Sequence, residues 1–219
     1  MKMNLKISIF TFSLLLSLVC THTFSNDTIP GRKNFFIAYD ISRPVLYFIT
    51  NNINQQEISF GYSNVKRKFS VTGDLGMGSF LFDRKNYEQE INGVFFKVGL
   101  DKISVDQAGD YLSYGFRLAY SGFTNDFKGA VLPDINFGDL PLNVQQTQLN
   151  AFWVEGLVKL DIHIFKNLGL GWTARIKFPL KIKSDKYFKP YYVPGFGKTM
   201  NNLMVGFNYY LYYKIPLKY

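Results

Sequence analysis

Large apolar residues alternate with small or charged residues along most of this chain. In one segment the apolar positions are Leu112, Tyr114, Phe116, Leu118 and Tyr120. The positions between them hold Ser113, Gly115, Arg117, Ala119 and Ser121. A period of two predicts a β-strand whose two faces have different environments. No segment shows convincing apolar spacing of the helical type over helical length, so the pattern predicts a fold built from strands.

The same alternation predicts eight strands. They lie near residues 34–42, 56–65, 68–82, 93–102, 111–122, 149–165, 168–183 and 202–218. An even number of strands lets an antiparallel sheet close with both termini at the same end. The predicted connections alternate between short and long, and the longest are 122–148 and 184–201. Because this order is typical of turns and loops at opposite ends of a membrane barrel, we predict an all-β fold, a closed eight-stranded antiparallel up-and-down transmembrane β-barrel.

The width of such a barrel indicates which face points inward. An eight-stranded barrel has an interior just wide enough for side chains to fill. Aromatic-rich faces such as that of residues 203–217 would overfill this space, whereas small and charged residues fit it. We therefore predict a structural charge network in the lumen, formed by Glu57, Asp74, Lys97, Arg117, Glu155, Lys159, Asp161, Arg175 and Lys177. Because buried charges need partners, we expect these side chains to pair and to plug the barrel.

Two prolines restrict the last strands. Proline removes a backbone donor, and within sheets it is confined to edges, strand ends and bulges. We therefore place Pro179 near a bulge and Pro216 at the exit of the last strand. An open sheet edge facing lipid would leave backbone groups unsatisfied, so the first strand must pair with the last.

The N-terminus has the organisation of a secretory signal peptide. Two lysines among the first six residues precede an apolar run at 7–19, and the small residue Ser25 suits cleavage. The apolar run is too short to span a bilayer as a helix. We predict that residues 1–25 are a signal peptide and that residues 26–219 form an outer-membrane β-barrel domain.

Charge and cysteine content narrow the function classes. The net charge is +9, and removal of the signal peptide, which holds two lysines and no acid, lowers it to +7. A basic surface suits nucleic acid or the anionic sugars and phosphates of a bacterial outer leaflet. Export favours the bacterial outer leaflet as the partner, so we expect no nucleic acid.

Cys20 is the only cysteine, and it lies in the predicted signal peptide. Cleavage of the signal peptide leaves no cysteine in the mature chain, which excludes disulfides, thiolate metal sites and cysteine nucleophiles. Val19, the residue before Cys20, disfavours lipidation.

With these features the chain resembles small outer-membrane barrels of the OmpA and OmpX type, and more specifically uncharacterised outer-membrane barrel proteins of Bacteroidota. The resemblance covers the whole mature chain as a pattern and includes one motif, GFNYYLYYKIPLKY at residues 206–219. This motif is similar to the aromatic-rich terminal strand that the barrel-assembly machinery recognises, although Pro216 departs from the usual form. The resemblance implies an outer-membrane location, and we expect a monomer in contact with membrane lipid and lipopolysaccharide.

Three candidate sites have simpler structural explanations. The GFGKT sequence at 195–199 imitates the end of a phosphate-binding loop, but Tyr192 replaces the first glycine and a strand follows instead of a helix. His163 is the only histidine expected to survive processing, which favours a lumen hydrogen bond over catalysis or a metal cluster. Glu155 and Asp161 could serve hydrolysis, but a barrel needs such charges to fill its lumen. We predict no catalytic, cofactor-binding or metal-binding residue.

Aromatic residues in two long connections are candidate contacts. They are Phe127, Phe137, Tyr187, Tyr191, Tyr192 and Phe196. Exposed apolar loops tend to mark contacts, and these residues could cap the barrel, rest on lipid or bind a partner, which the sequence does not rank. A second aromatic set fits the belts at membrane interfaces better than a ligand platform. Its members are Trp153, Trp172, Tyr209 and Tyr213.

The sequence thus favours a non-enzymatic outer-membrane protein with a structural or surface-interaction role. One alternative is an outer-membrane enzyme that modifies lipid, which would require His163 or a similar group to act on acyl chains. The other is a soluble periplasmic ligand-binding barrel, in which the apolar faces would be buried.

Overall fold

Eight strands form one closed antiparallel sheet in the computed structural model, which describes residues 33–50, 52–84, 87–105, 110–134, 138–183, 190–199 and 202–217. The barrel strands are β1 (Lys33–Asp40), β2 (Ile53–Asn64), β3 (Phe69–Arg84), β4 (Tyr87–Val105), β5 (Tyr111–Asp134), β6 (Gly138–Phe165), β7 (Leu168–Ile182) and β10 (Met204–Pro216). Two short strands between β7 and β10 form a separate hairpin, described below. Pairing of β1 with β10 closes the sheet. The predicted all-β, closed eight-stranded antiparallel barrel is therefore confirmed. The predicted signal peptide lies outside the described residues.

The two faces of the barrel strands differ as the alternation predicts. Phe207, Tyr209 and Ile176 are 54%, 42% and 44% exposed on the outer face. Arg175 and Glu155 are 3% and 0% exposed inside the barrel. In the middle of these strands the large apolar side chains therefore point outward, and the charged side chains lie in the lumen.

The two ends of the barrel are built differently. At the turn end, tight turns at residues 65–68 and 166–167 join the strands, and both described termini lie there, since the Leu217 N–H donates to the Lys33 carbonyl at 2.9 Å. The connection between β4 and β5 also lies at the turn end, and the other four connections between barrel strands lie at the loop end. Pro216 is the last residue of β10, and Pro179 pairs with Trp153 next to a register shift. Both prolines occupy the positions that the sequence predicted.

The prediction of a long loop at residues 122–148 is wrong. Strand β5 continues to Asp134 and β6 begins at Gly138, so most of this segment is a paired hairpin that extends beyond the barrel. Two register shifts, after Phe123 and after Phe127, interrupt the pairing. A bulge changes which face each residue occupies, and this breaks the sequence alternation while leaving the backbone paired.

A helix joins β1 to β2, whereas the apolar pattern predicted none. Helix α1 (Ser42–Thr50) begins directly after β1. Asp40 accepts hydrogen bonds from the Ser42 backbone N–H at 2.9 Å and the Ser42 hydroxyl at 2.5 Å. Pro44 lies in the first turn, where the missing N–H removes no helical hydrogen bond. The end of β1 thus caps the helix that follows it.

A short hairpin formed by β8 (Tyr192–Val193) and β9 (Gly197–Lys198) lies between β7 and β10. Val193 and Phe196 are 0% and 2% exposed. They pack inside the loop end against a cluster formed by Phe80, Ile91, Phe95, Ala119, Phe123, Leu149, Ala151, Trp153 and Tyr192. Residues 190–199, called the plug below, therefore close the mouth of the barrel.

Candidate functional site

Eight charged side chains fill the middle of the barrel and form the lumen network. They are the carboxylates Glu57, Asp74, Asp101 and Glu155 and the cations Lys97, Arg117, Arg175 and Lys177. Each is at most 5% exposed. Because the two signs are equal in number, the lumen network as a whole can be neutral, which is what burial away from water requires.

Two carboxylates and two cations alternate at the centre of the lumen network. Lys97 Nζ lies 2.8 Å from Glu57 Oε2 and 3.6 Å from Glu155 Oε1. Arg175 completes the ring, with Nη2 3.1 Å from Glu57 Oε1 and Nη1 2.9 Å from Glu155 Oε2. Strands β2, β4, β6 and β7 each supply one member. Three of the four ion pairs join strands that are not neighbours in the sheet, and the Arg175–Glu155 pair joins the neighbours β6 and β7.

Two aromatic side chains complete the hydrogen bonds of this ring. The Tyr210 hydroxyl donates to Glu57 Oε1 at 2.7 Å and accepts from Arg175 Nη2 at 2.6 Å. Trp153 Nε1 donates to Glu155 Oε1 at 2.8 Å. Since Trp153 is only 1% exposed, its assignment to an interfacial belt is wrong. Its place in the inward alternation beside Glu155 was the sequence signal for this position.

A second pair lies nearer the turn end. Arg117 donates to both oxygens of Asp101, at 2.5 and 2.8 Å, and Thr72 donates to Asp101 Oδ2 at 3.1 Å. Asp74 lies between the two guanidiniums, 3.7 Å from Arg117 Nε and 3.6 Å from Arg175 Nη1. This carboxylate connects the Arg117 pair to the central ring.

Glycines leave the space that the Arg117 pair occupies. A Cβ built on Gly99 would overlap the Phe116 backbone carbonyl and would also lie 2.8 Å from Arg117 Cδ. A Cβ built on Gly115 would overlap the carboxylate of Asp101. Neither glycine has a left-handed backbone, so their requirement is for room and not for conformational freedom.

Lys177 joins the lumen network to the plug. Its ammonium donates to the carbonyls of Gly195 and Phe196 at 2.6 and 3.2 Å and lies 3.9 Å from Glu155. On the other side of the mouth, the Tyr192 hydroxyl donates to Gln55 Oε1 at 2.7 Å.

The remaining predicted lumen charges, Lys159 and Asp161, lie apart from the central ring, toward the turn end. Their side chains form an ion pair of 3.0 Å. His163 lies further along the same strand, where its ring nitrogen is hydrogen-bonded to the Lys166 carbonyl and its backbone N–H donates to Asp110. His163 therefore stabilises a turn and does not join the lumen network.

The candidate contact residues have different environments. Tyr192 and Phe196 are buried and cap the barrel, which is one of the three roles that the sequence left open. Tyr191 is half-buried and stacks on Phe82 with ring centroids 5.0 Å apart. Phe127 is half-buried in the extended part of β5. Phe137 and Tyr187 lie outside the described residues.

The described residues form neither a cluster of metal ligands nor a membrane-spanning helix. Within the described part of the chain, no group of three or more histidine, cysteine or acidic side chains could hold a metal ion. None of the helical residues that the structure describes forms a segment that is long and apolar enough to cross a membrane as a helix.

Comparisons with known proteins show a family but no activity. A comparison with curated proteins finds no match. The profile of a domain of unknown function, DUF6048, matches residues 2–219, and the chain belongs to this family.

Proposed function

We propose that this protein is a non-enzymatic outer-membrane barrel of the OmpA and OmpX type, from a Gram-negative bacterium such as a member of the Bacteroidota. It would be exported by a signal peptide, inserted by the barrel-assembly machinery and held as a monomer among lipid and lipopolysaccharide. Its role would be structural or would depend on contacts at the loop end. The observation that carries this proposal is the continuous apolar outer face.

The apolar outer face has the height that a bilayer needs. On β4 it runs from Val94, 63% exposed, to Leu100, 60% exposed, between the exposed polar residues Asn92 and Lys102. A transmembrane strand needs about 9–11 residues, and the interval between these two polar boundaries fits that length. On β5 the corresponding apolar positions are Leu112, Tyr114, Phe116 and Leu118, each 48–50% exposed.

Polar contacts begin directly above this apolar band. Glu90 accepts a hydrogen bond from Asn92 at 2.9 Å and pairs with Lys128 at 3.4 Å, both on the outer face near the loop end. These hydrogen bonds lower the pKa of the Glu90 carboxyl, so it stays ionised. An ion pair on the outer face is suited to water or head groups, not to hydrocarbon.

The same outer face disfavours the soluble periplasmic barrel. Soluble monomers rarely expose apolar patches larger than a few hundred Å², and each Å² left in water costs about 25 cal/mol. Here the apolar residues surround the barrel, while the charged residues that water would solvate are buried. A membrane reverses this cost because the outer face meets hydrocarbon.

The filled interior supports a role without conduction or catalysis. The lumen network occupies the middle of the barrel and the plug occupies its mouth. A lipid-modifying enzyme would need a proton-transfer group near lipid at the loop end or in the band. His163 instead lies at the turn end, hydrogen-bonded to the Lys166 carbonyl.

Fractionation and gel mobility test the location. The full chain is expressed in a Gram-negative host, and inner-membrane, outer-membrane and periplasmic fractions are separated. We expect the protein in the outer membrane and a faster-migrating folded band that shifts on boiling. Recovery in the soluble periplasm without detergent would contradict the proposal.

Planar bilayers test the sealed lumen separately. We expect no steady conductance from the purified, folded full chain, because the lumen network fills the middle of the barrel and the plug packs into its mouth. A large, stable channel would contradict the non-conducting role while leaving the membrane location intact.

A further inference from the structure

Four exposed basic residues lie together at the turn end, beside the apolar band. They are Lys66, Arg67, Lys68 and Lys102. The first three form the turn between β2 and β3, and the fourth lies near the end of β4. Phe69, directly after the turn, pairs with Lys102 across the sheet. The Ile103 N–H donates to the Lys68 carbonyl at 2.9 Å. The turn and the end of β4 therefore form one surface, called the basic patch below.

The charge of the basic patch is not cancelled by ion pairs. None of the ion pairs within the described residues includes one of its four side chains. Asp101 is held by Arg117, and Asp161 is held by Lys159, on the inner side of the sheet. Asp110, at the start of β5, accepts a hydrogen bond from β6. A surface of one sign attracts ions of the opposite sign, so the basic patch favours an anionic partner.

Aromatic side chains of the outer face adjoin the basic patch on the side of the apolar band. Tyr62 lies between Phe35 and Phe69, with ring centroids 5.6 and 6.4 Å away. Lys102 Nζ lies 5.9 Å from the ring centroid of Tyr114. Tyrosine rings are enriched where hydrocarbon meets the head groups of a bilayer, and lysines near this boundary extend toward the head groups. The aromatic residues therefore indicate which part of a membrane would surround the basic patch.

The position of Lys102 favours a lipid over a soluble anionic polymer. Leu100, 60% exposed, is the last apolar position of the band on β4 and lies two residues before Lys102. A strand rises about 3.3 Å per residue, so Lys102 lies about 7 Å beyond the band on the outer wall of the barrel. A polymer that approaches the end of the barrel would meet the turn first, whereas lipid head groups surround the wall at this depth.

We infer that the basic patch binds the head groups of anionic phospholipids in the leaflet at the turn end. The inference rests on the proposed membrane location and adds a lipid class and a binding surface to it. A head group without an ammonium, as in phosphatidylglycerol, leaves the phosphodiester charge available to the basic patch. Phosphatidylcholine has the same phosphodiester, but its own cation cancels that charge.

Electron paramagnetic resonance with spin-labelled lipids tests the inference. The full chain is folded into phosphatidylcholine vesicles that contain a trace of spin-labelled phosphatidylglycerol or phosphatidylcholine. The fraction of each label that the protein immobilises gives the relative affinity for the two lipids. We expect an affinity about threefold higher for phosphatidylglycerol, because basic residues near a membrane surface attract anionic lipid. High salt should remove most of this selectivity, since exposed charges are screened.

A matched pair of variants tests the place of binding. Arg67→Gln combined with Lys102→Gln removes two charges from the basic patch and should lose at least half of the selectivity. The control, Lys183→Gln combined with Lys198→Gln, removes two exposed lysines at the loop end and should keep it. All four side chains are exposed, and the boiling-dependent gel shift checks that each variant is folded.

A second probe represents a soluble anionic partner. Polyglutamate is added to the full chain in zwitterionic detergent, and binding is measured by calorimetric titration. Selectivity for phosphatidylglycerol that depends on Arg67 and Lys102 supports the inference. Equal affinity for the two lipids, an equal loss in the control, or binding of polyglutamate by the basic patch without lipid selectivity overturns it. Failure to insert into vesicles would contradict the proposed location as well, whereas a folded, inserted barrel without selectivity overturns this inference alone.

Discussion

At the scale of single residues, each buried charge depends on its partners. Replacing Glu155 by glutamine keeps the size of the side chain but leaves Lys97, Arg175 and Lys177 with one negative charge fewer. Removing one partner of a buried ion pair typically costs about 3–5 kcal/mol. We expect a loss of this size in the free energy of unfolding, measured as the folded gel band against urea concentration in lipid vesicles.

Glu90→Gln is the control for this prediction. Glu90 also pairs with a lysine, but the two side chains are 38% and 57% exposed. Exposed pairs contribute about 0–1 kcal/mol, so we expect little change. Equal losses for both variants would mean that the lumen is hydrated and that its charges are not held by one another.

Glycine positions allow a second prediction at this scale. Gly115→Ala would place a Cβ against the Asp101 carboxylate and 2.6 Å from the Leu100 carbonyl. Overpacking of this kind costs about 1–3 kcal/mol. Gly156→Ala is the matched control, because its Cβ would meet nothing within 4 Å. We expect the control to be neutral or slightly stabilising in the same urea titration, since alanine loses less backbone entropy in a strand. An unchanged free energy of unfolding in Gly115→Ala would show that the Asp101–Arg117 pair can move to make room for the Cβ.

At the scale of elements, the plug is held by a few polar contacts. Lys177→Met removes the ammonium that binds the Gly195 and Phe196 carbonyls, while the apolar packing of Val193 stays. We expect faster amide hydrogen exchange across residues 192–198 with little change in β3–β6. Lys198→Met, at an exposed position of the same hairpin, should leave the exchange unchanged. Unaltered protection in Lys177→Met would mean that apolar packing alone holds the plug.

Strands with strict alternation were predictable, and segments stabilised by tertiary contacts were not. Strand β7 was predicted at 168–183 and is observed at Leu168–Ile182. The hairpin extension of β5 and β6 was missed because its bulges shift the faces. The plug has glycines, prolines and no period, and only the barrel mouth around it explains its burial. Helix α1 had a local signal in Asp40 and Pro44 that the search for apolar periodicity did not use.

The candidate site shows the same limit. Alternation predicted that Glu57, Lys97 and Glu155 point inward, and the structure places all three in the lumen. It did not predict that Lys97 would contact both carboxylates, since these residues lie on β2, β4 and β6. Contacts across a lumen depend on strand tilt and stagger, which a period of two does not contain.

At the scale of the whole molecule, three layers follow one another along the barrel. The turn end has exposed basic residues, the middle has the exposed apolar band, and the loop end carries the plug and the hairpin extension. Single cysteines can distinguish these layers, because Cys20 is the only natural cysteine. A Cys20→Ala background removes even that one. The positions are Arg67→Cys at the turn end, Phe116→Cys in the band and Lys198→Cys at the loop end.

Labelling with a charged maleimide tests the orientation in a Gram-negative host. The reagent reacts with a thiolate in water, so we expect Lys198→Cys to react on intact cells and Arg67→Cys to react only after the outer membrane is permeabilised. Phe116 is 50% exposed on the outer face of the barrel. We nevertheless expect lipid to protect the thiol of Phe116→Cys in both conditions, until the protein is unfolded in denaturant.

Reaction of Phe116→Cys as fast as Lys198→Cys would mean that the apolar band faces water, and the membrane proposal would fail. Reaction of Arg67→Cys on intact cells would mean that the orientation is the opposite of the expected one, with the basic turn end facing the medium instead of the periplasm.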